Sequence, residues 1–135
     1  MILSAIAGYL DAENIAELGT DLFVGFQPDM PAAVLALYNV AAPMQPYMSE
    51  VNTDAAGVQL LARSDSYPAA RLMLLTAYKA LAGYRGEMGG ESILNTIILT
   101  APAHIGRDER GRHEFSATLG FAYKSTGNLH RTEIN

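Results

Sequence analysis

Ile2, Leu3, Ile6, Tyr9, Leu10 and Ile15 recur at an imperfect helical spacing, which predicts an amphipathic helix over residues 2–18 with Gly19 as its stop. Residues 21–27 (DLFVGFQ) are short and aromatic-rich and end at Pro28, while residues 33–40 (AVLALYNV) are apolar and bounded by Pro31 and Pro43. Both read as strands joined by the turn-like PDMP, with helix still open for the Ala-rich second run. Residues 58–63 (VQLLAR) read as a buried strand. Ser64, Asp65 and Ser66 then offer N-cap oxygens ahead of Pro68, which is tolerated in a first helical turn. In the helix that follows, Leu72, Met73, Leu75, Ala77, Tyr78, Leu81 and Ala82 cover most of the circumference, so burial on more than one side is expected, with a stop at Gly83 or Gly86.

Residues 85–91 (RGEMGGE) read as a flexible connection. Residues 93–101 (ILNTIILTA) are β-branched and apolar on both faces, as a central strand would be, and Pro102 is expected to end them. Phe115, Ala117, Leu119, Phe121 and Tyr123 alternate with Glu114, Ser116, Thr118 and Gly120, a two-residue period with one core face and one wet or shared face. Between these strands lies the polar turn 108–112. Residues 41–57 show no sustained period and read as a long loop. Its Met44, Tyr47 and Met48, beside Glu50, are either adaptable interface side chains or a lid over the domain's own core. The polar residues 124–135 read as a tail after a single domain spanning 1–123. The order of elements predicts an α+β fold, an antiparallel or mixed β-sheet with two main helices packed on one face.

At 135 residues the chain fits one domain with a real core. Half of it is hydrophobic and only 17% is charged, against a globular average of about 25%. Few charges are therefore left to cover an isolated monomer, and burial in an oligomer is a natural answer. A net charge of −5 argues against binding nucleic acid through clustered Lys and Arg. The absence of cysteine removes disulfides and thiolate chemistry. The N-terminal run lacks a basic signal-type flank and is broken by Gly8, Asp11 and Glu13, and no stretch approaches a membrane span, so a soluble chain is expected.

Candidate chemistry is sparse. The spacings of His104, His113 and His130 match no ligand motif, so surface or turn histidines and no metal site are expected. The glycines of GYRGEMGGE follow a helix and lack a P-loop's Lys-Ser/Thr ending, so no phosphate cradle or cofactor is read there. Asp108 and Glu109 are flanked by Arg107, Arg110 and Arg112, which would neutralise them before any cation. No nucleophile motif is present, and no enzyme is expected. The charged turn is either an ordinary solvated turn or an assembly element that fixes register with a neighbour.

Several passages, taken in order, carry a resemblance. They are the early amphipathic helix, the aromatic strand ending at Gln27-Pro28, the passage LLARSDSYPAA with its Arg63-Ser64, and the helix ending Leu81-Ala82-Gly83. The series continues through Pro102-x-x-Ile105-Gly106-Arg107-Asp108-Glu109-x-Gly111-Arg112 into HEFSATLGFAY. Over about residues 1–124 the chain resembles the tail terminator proteins of long-tailed bacteriophages, some of which are labelled minor capsid proteins. It departs from them at Ala41 to Pro43, where a glycine-containing turn is more usual.

The resemblance implies a six-fold ring on the head-proximal end of the tail tube, which ends tube growth and presents a surface for head joining. Its partners would be copies of itself, the tail tube protein and a head connector or head-closure protein, with DNA passing through without specific binding and no membrane involved. The location would be the virion, and the host cytoplasm during assembly. Met44, Tyr47, Met48, Glu50, Arg107, Asp108, Glu109, Arg110 and Arg112 are the candidate contact residues. Two alternatives stand beside this: a head-closure or tail-completion protein of the same neck region, and a small α+β enzyme or ligand-binding domain with a pocket beneath the Met/Tyr loop.

Overall fold

The computed structural model describes residues 2–41 and 53–125. Its elements run α1 (Ile2–Ala12), β1 (Leu22–Val24), β2 (Val34–Val40), β3 (Thr53–Ser64), α2 (Tyr67–Leu81), β4 (Gly86–Met88), β5 (Glu91–Arg107) and β6 (His113–Ser125). The strands form one six-stranded sheet in the order β1-β2-β3-β6-β5-β4. Only β1 and β2 pair in parallel; the other neighbours are antiparallel. The fold is therefore α+β with a mixed sheet.

Both helices lie on the same face. Strict alternation sends Leu35 and Leu37, Val58, Leu60 and Ala62, and Phe115, Ala117, Leu119 and Phe121 to that side. There they join Ile6 and Leu10 of α1 and Ala70, Leu74, Ala77 and Leu81 of α2 in a single cluster. Each large apolar side chain removed from water in this way contributes roughly 1.5–3 kcal/mol. The other sheet face is covered in part, since Val34, Ala36 and Leu61 are also buried.

α1 is shorter than its sequence period suggests. Asn14 takes φ 60°, and the amides of Asn14 and Ile15 donate to the carbonyls of Asp11 and Leu10, at 3.0 and 2.9 Å. This pairing closes the helix with a left-handed residue at its end, so the apolar period continues past the helix as a turn that drops Ile15 and Ala16 against the core. α2 begins as expected, with the Ser66 hydroxyl accepting from the Ala69 amide at 3.3 Å and Pro68 in the first turn. Its outer side is open, where burial on more than one side is expected from the sequence: Leu72 is 66% exposed.

The sheet differs from expectation in three places. Residues 53–57 extend β3 rather than belonging to a loop, and Gly57 is required there because a Cβ would sit 2.8 Å from the Val40 carbonyl oxygen on β2. The glycine-rich stretch 85–91 is no flexible link: β4 folds back on β5 through Gly89 and Gly90, with Met88 buried in the core. Pro102 does not end β5, which continues to Arg107 by slipping its register against β6 on both sides of the proline. β5 is accordingly not central. β4 covers it only as far as Ile93, and β6 is the strand buried between two long neighbours. β6 also runs through Ser125, past the predicted start of the tail at 124; residues 126–135 lie outside the described residues.

Candidate assembly interface

At one end of the sheet the β5–β6 turn meets residues 25–33, which link β1 to β2. The meeting is organised by two arginines. Arg63, next to last in β3 and following the apolar run Leu60-Leu61-Ala62, is 4% exposed and needs its donors satisfied without water. Its guanidinium donates to the carbonyl oxygens of Pro28, Pro31 and Ala32, at 2.6, 2.8 and 3.1 Å. The proline-rich segment supplies these acceptors because it has no regular partner strand. Burial first, and the nearby Arg112 guanidinium second, push Arg63 below its usual pKa, while Asp108, Glu114 and Asp29 oppose that fall.

Arg112 closes the turn itself. Its Nε donates to Asp108 Oδ2 at 2.7 Å, and its Nη2 to Asp29 Oδ1 at 3.2 Å. Asp108 Oδ1 accepts the amides of Arg110 and Arg112, at 3.0 and 2.9 Å, while Gly111 turns the chain at φ 78°. Partial burial works against the charge on Asp108. The Arg112 and Arg110 donors outweigh it and hold the carboxyl below the ordinary aspartate range. Arg110 reaches Asp29 Oδ2 at 2.8 Å across an exposed surface.

The candidate residues therefore separate. Arg107, Glu109 and Arg110 are exposed at the tip. Asp108 is half-buried, and Arg112 is turned inward with only 7% of its side chain exposed, where it locks the turn to Asp29 of its own chain. The inward Arg112 is a structural group, and the charges left exposed at the tip are Arg107, Glu109 and Arg110. Met44, Tyr47, Met48 and Glu50 lie outside the described residues. Asp29, which joins Arg110 and Arg112, is not singled out by the sequence. The available signal was Arg63 itself, a cation ending a buried strand that demanded acceptors nearby.

The second surface feature is apolar. Ile98 and Ile105 on β5 are 52% and 55% exposed, and among the described residues no strand pairs with the outer edge of β5 beyond Ile93. Among the described residues an open cleft of about 430 Å³ lies between α1 and β4, lined by Ser4, Ala5, Gly8, Tyr9, Glu87 and Met88 among others. Among the described residues no group of three or more His, Cys, Asp or Glu side chains converges as a metal site, and no helix is long and apolar enough to cross a membrane.

A family model described as bacteriophage tail terminator protein matches residues 9–125. The chain belongs to the bacteriophage tail terminator family. Terminators are structural tail proteins rather than an enzyme family, which fits a surface of charged tip and apolar edge. No curated protein matches the chain in sequence. Among solved structures, a chain from the virion of a native gene transfer agent particle superposes with a TM-score of 0.65 at 11% identity, covering 91% of this chain and 94% of that one. A second solved structure superposes with a TM-score of 0.52 at 14% identity, covering 91% of this chain and 90% of that one. At such identities the likeness concerns the fold alone.

Proposed function

We propose that the chain forms a closed ring, six-fold in symmetry, that caps the head-proximal end of the tail tube, stops tube polymerisation and offers the joining surface for the head. The observation that carries this reading is the mismatch between the sequence of β5 and its position. ILNTIILTA has the two-faced apolar composition of an interior strand, yet the single chain leaves it near an edge with Ile98 in water. Exposed, unpaired edges invite association and are ordinarily blunted by charge or shortness. Over residues 94–101 this edge carries no charged residue. A neighbouring copy is the simplest cover, and it would give β5 the environment its composition suits.

A ring needs two different complementary patches on each subunit. The β5 edge supplies one. Arg107, Glu109 and Arg110 supply charges that fix register against a neighbour or the tube, and Met44, Tyr47, Met48 and Glu50 are proposed to join that contact. A net charge of −5 suits a channel that DNA must traverse without sticking. The head-facing partner would be a connector or head-closure protein, and the polar residues 126–135, which follow β6, would dock there.

The test is electron microscopy of tails assembled with and without the protein. Overlong tails in its absence, trimmed to one length when it is restored, are the expected result; tails of normal length without it would refute the proposal. Arg110→Glu should leave the fold intact, since an exposed ion pair is worth about 0–1 kcal/mol, while reducing capping.

A further inference from the structure

We propose that His104 and His113 form a two-imidazole site for a borderline divalent cation such as Zn²⁺, Ni²⁺ or Cu²⁺. The two residues stand on neighbouring strands at the α2 end of the helix-covered face, with His104 Nε2 3.3 Å from His113 Nδ1. Two nitrogens each bound at about 2.0–2.1 Å to a tetrahedral ion lie about 3.3–3.4 Å apart, so the observed separation is already that of a ligand pair. In the ion-free state one hydrogen lies between the two nitrogens. Binding needs that hydrogen to move to the far nitrogen of the same ring, after which both facing lone pairs are free and no net proton is lost.

The surroundings support the same use. Tyr67 packs against both rings, with centroids 5.1 Å from His104 and 5.4 Å from His113, and Phe115 lies 5.0 Å from His104. Aromatic walls on both imidazoles restrict their rotation and preorganise the pair. The Arg107 cation acts on His113 and disfavours a bound cation, which limits the site to ions that bind imidazole strongly. His104 is exposed, so the remaining coordination positions open to water. The site is independent of the ring proposal.

Calorimetric titration of the full chain with Zn²⁺ and with Ni²⁺ at neutral pH tests the idea. A saturable isotherm of one ion per chain is expected, abolished in His104→Ala and in His113→Ala and retained in His130→Ala. No saturable binding by the wild type, or binding unchanged in the first two variants, would overturn it. Should a variant fail to fold, Cu²⁺ added to the wild type reads the site directly. Ring-proton resonances of His104 and His113 must then broaden before that of His130, and the reverse order refutes the assignment.

Discussion

β6 and β5 are neighbours of similar apolar content, yet they are used in opposite ways. β6 pairs with β3 in unbroken register from His113 to Lys124, and Phe115, Ala117, Leu119 and Phe121 are all buried. β5 slips against β6 four times, carries Pro102 in mid-strand and leaves Ile98 and Ile105 exposed. The contrast separates two kinds of stabilisation. Burial in β6 is complete within one chain, whereas β5 is left with exposed apolar side chains that, on the proposed reading, a neighbouring copy covers. For a protein whose work is assembly, the poorly finished strand is the informative one.

The comparison is broken most severely from the β6 side. Phe121 is fully buried at the middle of the sheet, and truncating such a ring leaves a cavity that costs about 3–5 kcal/mol. Phe121→Ala should therefore lose a large share of the roughly 5–15 kcal/mol by which a domain of this kind is stable. Chemical denaturation followed by circular dichroism measures it. A loss below about 1 kcal/mol would mean that β6 is not the packed centre described here.

A smaller loss is expected at the end of β3. Arg63→Met keeps the apolar stem but leaves the Pro28, Pro31 and Ala32 carbonyls without their donor. Unpaired buried acceptors cost about 1–3 kcal/mol. Because residues 25–33 are held by those bonds, limited proteolysis within that segment should accelerate in the variant while the β3–β6 amides stay protected from hydrogen exchange.

Much of this contrast was legible in the chain, and the failures fall where local pattern and tertiary context disagree. Alternation from Phe115 to Tyr123 fixes both faces of β6 because a two-residue period admits one arrangement on a covered sheet. The Ser66 cap and Pro68 locate the start of α2 for equally local reasons. β5 was assigned to the interior because its composition is that of an interior strand, and composition cannot say whether the covering surface belongs to the same chain. Pro102 was taken as a stop since proline removes a ladder donor, but an outer strand tolerates that loss. At the candidate interface the charged turn was evident, whereas the inward course of Arg112 depends on Asp29, eighty-three residues away in sequence. The His104–His113 pair was missed for the same reason, since strand register rather than spacing brings them together.

Acid should loosen the turn that joins the two strands in two steps. His113 and Asp108 both have folded pKa values below their ordinary ones. In each case the unfolded chain takes up its proton at higher pH than the folded chain does, so the stabilisation is complete above the ordinary value and is lost as pH falls through the folded one. Stability should decline first below about 6.5, the ordinary histidine value, and again below about 3.9, the ordinary aspartate value. His113→Gln should remove the upper step, and Asp108→Asn the lower, in denaturation midpoints recorded against pH.

The smallest effect on the isolated chain should be the largest on assembly, and it lies on β5. Ile98 is 52% exposed, and substitutions at exposed positions away from caps and buried networks usually stay within about 0.5 kcal/mol. Ile98→Lys should thus leave the denaturation midpoint of the free protein almost unchanged. Lysine on an unpaired edge is, however, a standard obstacle to strand-to-strand docking. If a neighbouring copy completes the sheet at β5, the ammonium must be stripped of water or forced against an apolar partner surface, and both oppose closure of a ring. Tails assembled with this variant should then be irregular in length, as tails without the protein are, although the variant itself is folded. Regular capping by Ile98→Lys would mean that the outer edge of β5 faces water in the virion as well, and the subunit contact would have to be sought at the charged tip.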